Sequence, residues 1–239
     1  MFGLSALDVL ALLVFLACWL GLAPFLRWRG KHSKIVAAAM VDHRRAWMGA
    51  LLRRDIRIGD TAILTVITST AGLFASTSVI VIGALLGVLF NLNLGRSAQP
   101  PVANWLAVPA PTALDIKIVL VLVVAVYAFQ SFTWAIRQAN FAGVVIGAAP
   151  PASGLDDATH ERLSMTMGNI ITGVAEAYDH GLRSYYFALA AVTWIISPAL
   201  LLLASLGTVA LILRRQAQSR TALALRDLAA FRAPPPGPV

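Results

Sequence analysis

Charge is almost absent from four stretches of this chain, and those stretches set the frame for everything else. The longest, 61–92, reads TAILTVITSTAGLFASTSVIVIGALLGVLFNL and carries no charged side chain. At a helical rise of about 1.5 Å per residue it exceeds a hydrocarbon layer of about 30 Å. Asp60 stands before it as an N-cap, and Asn91, Asn93, Gly95 and Pro100 break the pattern behind it. The other three runs are 4–26, loosened near Gly21 and Pro24, then 114–136 and 182–213. In the last of these Pro198 cannot donate to the carbonyl of Trp194, which predicts a kink in mid-membrane.

Two further segments alternate polar and apolar positions at three- and four-residue steps, the spacing of amphipathic helices. In 27–60, Ile35, Val36, Ala39, Met40, Trp47, Leu51 and Leu52 are interleaved with basic residues, which suits a helix along a membrane face. From Asp156 or Asp157 a second such pattern runs through Leu163, Met167, Ile170, Ile171, Val174 and Tyr178, with Gly181 as its expected end. The fold class is therefore all-α. We expect a polytopic membrane bundle of about four transmembrane helices and two amphipathic helices at the cytoplasmic interface, with 1–213 as one domain and 214–239 as a basic, Pro-rich tail.

Composition sharpens the class. Apolar residues make up 59% of the chain and charged ones 13%, which excludes an ordinary soluble domain. The single Cys18 permits no internal disulfide. The net charge of +8 is concentrated, because nine of the nineteen Lys and Arg lie in 27–57. That is the pattern of a cytoplasmic loop facing anionic headgroups rather than of nucleic-acid binding. The abundance of Arg, Ala, Gly and Pro fits a high-GC bacterium, and so a bacterial inner membrane. Four spans put both termini on one side, and the density of bases in 27–57 places that side in the periplasm. The five arginines of the tail stand against this orientation.

Three segments in this order resemble a known family: FASTS at 74–78, LDIK with FTWAIRQANF in the third run, and GLRSYYFALAAVTWIISP at 181–198. Their residues Phe74, Ser76, Thr77, Trp134, Gln138, Tyr185, Tyr186 and Pro198 are similar to the membrane family called domain of unknown function 599, found in bacteria and plants. The resemblance covers 60–198. It implies a multi-pass helical membrane protein and carries over no activity.

Candidate chemistry is sparse. Asp60, Arg137, Asp179 and Arg183 fall at one expected boundary, where they suit either an ion-pair cluster or a site for a lipid phosphate, which an Arg fork matches bidentately. The alternative is four separate boundary residues, a cap and snorkelling anchors. In the second span Thr61, Thr65, Thr68, Gly72, Ser76, Gly83 and Gly87 make a stripe of small and hydroxyl-bearing residues, suited to close helix packing or to lining a pore. No His or Lys accompanies those hydroxyls to activate a nucleophile. The four histidines lie outside the spans, so neither haem nor another cofactor is called for, and no metal-ligand spacing occurs.

The expected role is a non-catalytic oligomeric or accessory subunit of a membrane complex, in contact with anionic headgroups and without nucleic acid. A passive, anion-favouring pore lined by the Thr/Ser stripe is the alternative. A lipid-headgroup enzyme ranks third.

Overall fold

A computed structural model of the chain describes residues 4–32, 36–97, 112–151, 154–218, 220, 223–225 and 228. Among these the fold is entirely helical, in the order α1 (Ala6–His32), α2 (Val36–Leu52), α3 (Ile58–Ser97), α4 (Ala113–Gly147), α5 (Asp157–Val192), a 3-10 turn at Thr193–Ile195, and α6 (Pro198–Gln218). Four helical stretches are long and apolar enough to cross a membrane: Ala6–Gly30, Ile58–Leu92, Ala113–Gly147 and Pro198–Leu225. Most of the Pro-rich loop expected at 93–111, and all of 229–239, lie outside the described residues.

Helices α1, α3 and α4 run past the expected ends at 26, 92 and 136, to His32, Ser97 and Gly147, and two further boundaries differ for a specific physical reason. Helix α5 does not end at Gly181 but runs unbroken for 36 residues to Val192. Gly181 serves a close approach instead: a Cβ there would come within 2.7 Å of the Phe132 ring. At Pro198 there is no kink within one helix. The chain leaves the α-helix in a 3-10 turn, and Pro198 opens α6. At a first helical position the missing N–H has no intrahelical partner to lose, and the fixed φ suits the helix. A smaller difference lies at Asp60, which sits within the first turn of α3 rather than before it.

The chain divides into two compact units. The first comprises Met1–Leu20, Ala71–Thr133 and Tyr178–Thr208. Phe15, Phe132, Phe187, Trp194 and Leu201 are fully buried in it. The Phe15 and Phe187 rings meet edge to face at 5.8 Å, and Trp19 meets Tyr127 likewise at 5.4 Å. Such edge-to-face pairs add about 1 kcal/mol each beyond the area they bury.

The second unit comprises Gly21–Thr70, Trp134–Ala177 and Val209–Val239. Its core joins Met48, Leu51 and Leu52 of α2 to Leu64 of α3, to Ala139, Ala142 and Ile146 of α4, and to Met167, Ile171 and Val174 of α5. Small residues let α2 approach α5. A Cβ on Gly49 would rest 3.5 Å from that of Ser164, and one on Gly168 would lie 2.8 Å from Cα of Arg45. The imidazole Nε2 of His160 hydrogen-bonds the Gly49 carbonyl at 3.0 Å. The amphipathic helix expected in 27–60 is therefore present as α2, with its apolar side packed on protein.

Candidate functional site

Polar side chains gather at two places, one in each unit. In the first unit, Ser5 and Asp8 cap α1 reciprocally: Asp8 Oδ2 accepts from the Ser5 amide at 3.0 Å and its hydroxyl at 2.7 Å, while Ser5 Oγ accepts from the Asp8 amide. The second carboxylate oxygen, Oδ1, accepts from Trp194 Nε1 at 2.8 Å and lies 3.6 Å from Lys117 Nζ. Lys117 also stands over the Trp194 ring at 5.7 Å. Both charged side chains are largely buried, at 15% and 12% exposure for Lys117 and Asp8. An ion pair, a cation–π contact and an indole hydrogen bond thus tie the start of α1 and the start of α4 to the turn that follows α5. Sequence reading saw these residues only as flanks, since 109 positions separate Asp8 from Lys117 and 77 separate Lys117 from Trp194.

Residues from all three family-like segments meet in the same unit, although FTWAIRQANF passes into the second unit after Thr133. The rings of Phe74 and Phe132 stack at 5.2 Å, Tyr185 lies 5.5 Å from Phe74 and 5.6 Å from Phe132, and Tyr178 closes the group at 5.7 Å from Phe132. The Tyr185 hydroxyl donates to the Phe74 carbonyl at 2.8 Å and contacts the Ser78 hydroxyl at 2.9 Å. Ser78 is the buried hydroxyl of the FASTS segment, whereas Ser76 and Thr77 are exposed. Tyr185 is thus held in the protein interior by a backbone acceptor. Gly181→Ala is expected to destabilise the protein by about 1–2 kcal/mol, because the Phe132 ring is enclosed and must shift to admit the methyl. Thermal unfolding in detergent measures this; an unchanged midpoint would show that the ring has room.

In the second unit, Asp60 is only 2% exposed. Its Oδ1 accepts from Trp47 Nε1 at 2.7 Å and from Arg54 Nη1 at 2.9 Å. These bonds fasten α2 to the opening of α3. Arg57 reaches the end of α4, donating to the carbonyls of Ala149 at 2.8 Å, Pro150 at 2.7 Å and Ile146 at 3.3 Å. A guanidinium at a helix C-terminus meets both unpaired carbonyls and the negative end of the macrodipole. Nothing in the local sequence distinguished Arg57 from its basic neighbours.

Of the boundary cluster, Asp60 and Arg137 belong to the second unit, Asp179 and Arg183 to the first. Asp60 is engaged by Trp47 and Arg54, and the exposed Arg137 lies 5.7 Å from the Phe141 ring. Asp179 is exposed and Arg183 half-buried. Of the other family-like residues, Trp134 is 52% exposed, Tyr186 is half-buried, and Gln138 faces Gly173, where a Cβ would approach its Oε1 to 2.5 Å.

The stripe of α3 has a different orientation from its packed side. Asp60, Leu64, Ala71, Ala75 and Ser78 are the buried positions of α3 among the described residues. Thr61, Thr65, Ser76, Gly83 and Gly87 are exposed, with Thr68 and Gly72 half-buried. A Cβ on Gly72, Gly83 or Gly87 would meet nothing within 4 Å. Thr61, Thr65 and Thr68 hydrogen-bond back to the carbonyls of Ile58, Thr61 and Leu64.

Long apolar helices of this length, with their polar groups capped or paired, define an all-α polytopic membrane protein. Within that class the chain belongs to the family described as "Protein of unknown function, DUF599", whose model matches residues 10–221. No curated protein and no solved structure matches the chain.

Proposed function

We propose that the protein is a non-catalytic component of the bacterial inner membrane that acts by associating with other membrane helices, as a homo-oligomer or as an accessory subunit. The single observation that carries this reading is the open side of α3. A Cβ on any of three glycines there would meet nothing within 4 Å among the described residues, Thr61 and Thr65 are exposed beside them, and the threonine hydroxyls already have acceptors in their own helix. Such a surface allows another helix to approach closely without leaving a polar group unsatisfied in lipid. The basic segment 27–57 faces anionic headgroups on the cytoplasmic side, and the amino terminus lies in the periplasm.

Cysteine cross-linking tests the association. In a Cys18→Ser background, Thr65→Cys, Ser76→Cys and Gly83→Cys are expected to give dimer-sized products on oxidation in native membranes, and Thr77→Cys, on another side of α3, is not. Products of a fixed larger mass would indicate an accessory role with a different partner. Equal or absent cross-linking at all four positions overturns the reading. Ion conductance in liposomes that bulky substitutions at Thr68 or Ser76 abolish would favour the pore instead.

A further inference from the structure

Helix α5 is not among the four apolar helices, yet its partners change along its length in a strict order. Near its start His160 bonds the Gly49 carbonyl of α2. Gly173 faces Gln138 of α4, and eight residues later Gly181 faces Phe132. Trp194, just past its end, reaches Lys117 at the beginning of α4. Along α1 the sequence is the same in reverse: Ser184 lies 3.4 Å from Trp19, Phe187 meets Phe15, and Trp194 bonds Asp8. From 173 to 194 the chain thus runs antiparallel to the stretch 117–138 of α4, which lies within a membrane-spanning helix. Twenty-one residues rise about 31 Å, the thickness of a hydrocarbon layer.

The charge pattern sets the side on which this traverse faces protein. Glu176, Asp179 and Arg183 fall in its first half, and the half-buried Arg183 lies about 15 Å past Gly173, at mid-depth, where an ionisable side chain faces other helices rather than lipid. No charged residue then occurs until Arg214. The turn at Thr193–Ile195 and Pro198 divides this uncharged stretch, and from Val209 onward the chain groups with the unit that contains α2 rather than with that of Asp8 and Trp194.

We infer that α5 crosses the bilayer as a fifth, amphipathic traverse, that Trp194 closes it at the surface where α1 and α4 begin, and that α6 carries the chain back. The inference rests on the membrane reading above. Its consequence is an interaction surface: Arg214, Arg215 and Arg220 join the basic residues of 27–57 on one side, where they face anionic lipid headgroups. Among the described basic residues only Arg96 and Lys117 then remain for the amino-terminal side, with Arg183 inside the traverse, and Lys117 is paired with Asp8. Four crossings would instead place the tail arginines opposite the densest basic segment, the conflict with the positive-inside rule that the sequence presents.

Single cysteines in the Cys18→Ser chain test the topology without assuming which side is cytoplasmic. Ala6→Cys, Glu161→Cys and Gln218→Cys all replace exposed residues. With a membrane-impermeant maleimide on intact cells and then on inverted vesicles, Gln218→Cys is expected to label with Glu161→Cys and opposite to Ala6→Cys. Labelling of Gln218→Cys with Ala6→Cys overturns the fifth traverse, whatever the state of association. For the headgroups, Arg214→Gln with Arg215→Gln is expected to lower the phosphatidylglycerol retained in native mass spectrometry. Unchanged retention removes the tail from the lipid surface.

Discussion

Gly168→Ala is expected to lower the unfolding free energy by about 3 kcal/mol, the upper end of ordinary overpacking. The cause is the atom it meets. A methyl at Gly168 would stand 2.8 Å from Cα and 3.1 Å from the amide nitrogen of Arg45, so backbone rather than a flexible tip must move. Separating α2 from α5 there would also stretch the His160–Gly49 hydrogen bond and open the core around Met48, Leu51 and Met167. Gly49→Ala is the control. Its methyl would rest 3.5 Å from Ser164 Cβ, an ordinary contact, and alanine favours the helix by up to about 1 kcal/mol over glycine. The two substitutions should therefore shift the thermal midpoint in detergent in opposite directions. A gain in stability from Gly168→Ala would show that α2 is not docked at this point.

The apolar helices were legible because uninterrupted hydrophobic length is a one-dimensional signal, and 61–92 and 114–136 lie within α3 and α4. Helix α2 was legible for a similar reason, from its three- and four-residue spacing. The junction of α5 and α6 was not. Its amphipathic first part and apolar second part look like two elements, and Gly181 stands where they meet. Only the Phe132 ring, 49 residues earlier in the chain, explains why a glycine is there within a continuous helix. Proline at 198 signalled a disturbance, but spacing alone does not distinguish a kink from a fresh helix start.

The phase of α3 was the subtler problem. A stripe of small residues predicts where a helix can pack, and α3 has two sides of that kind. One carries Thr61, Thr65 and Gly83; the other carries Ala71, Ala75 and Ser78, and this second side is buried within the chain. Among the hydroxyls of FASTS, the sequence gives no reason to choose Ser78 until Tyr185 arrives beside it. Charged residues at helix ends were likewise read as caps or anchors, which is their commonest use. Asp60 and Asp8 do more, because tryptophan donors from other elements complete their shells.

The largest loss is expected at Asp8. Asp8→Ala removes the counter-charge of Lys117, the acceptor of Trp194 and half of the α1 cap in one step. Breaking a buried ion pair by deleting one partner costs about 3–5 kcal/mol, because the remaining charge stays desolvated. Trp194→Phe should cost much less, about 1 kcal/mol for the indole hydrogen bond plus the weaker packing, since Asp8 and Lys117 still face each other. The decisive comparison is the double variant Asp8→Leu with Lys117→Met. If the charges matter mainly through each other, it should recover most of the stability that Asp8→Ala loses, as apolar replacement of whole buried pairs often does. Recovery in the double variant, with a large loss in each single one, identifies a desolvated pair at the start of α1 and α4. A loss below about 1 kcal/mol in Asp8→Ala would mean that water reaches Lys117, as at exposed pairs. The same series probes the turn after α5: with Asp8 gone, Trp194 loses its polar anchor, and a cysteine placed at Ser197 should react faster with maleimide than in the parent chain.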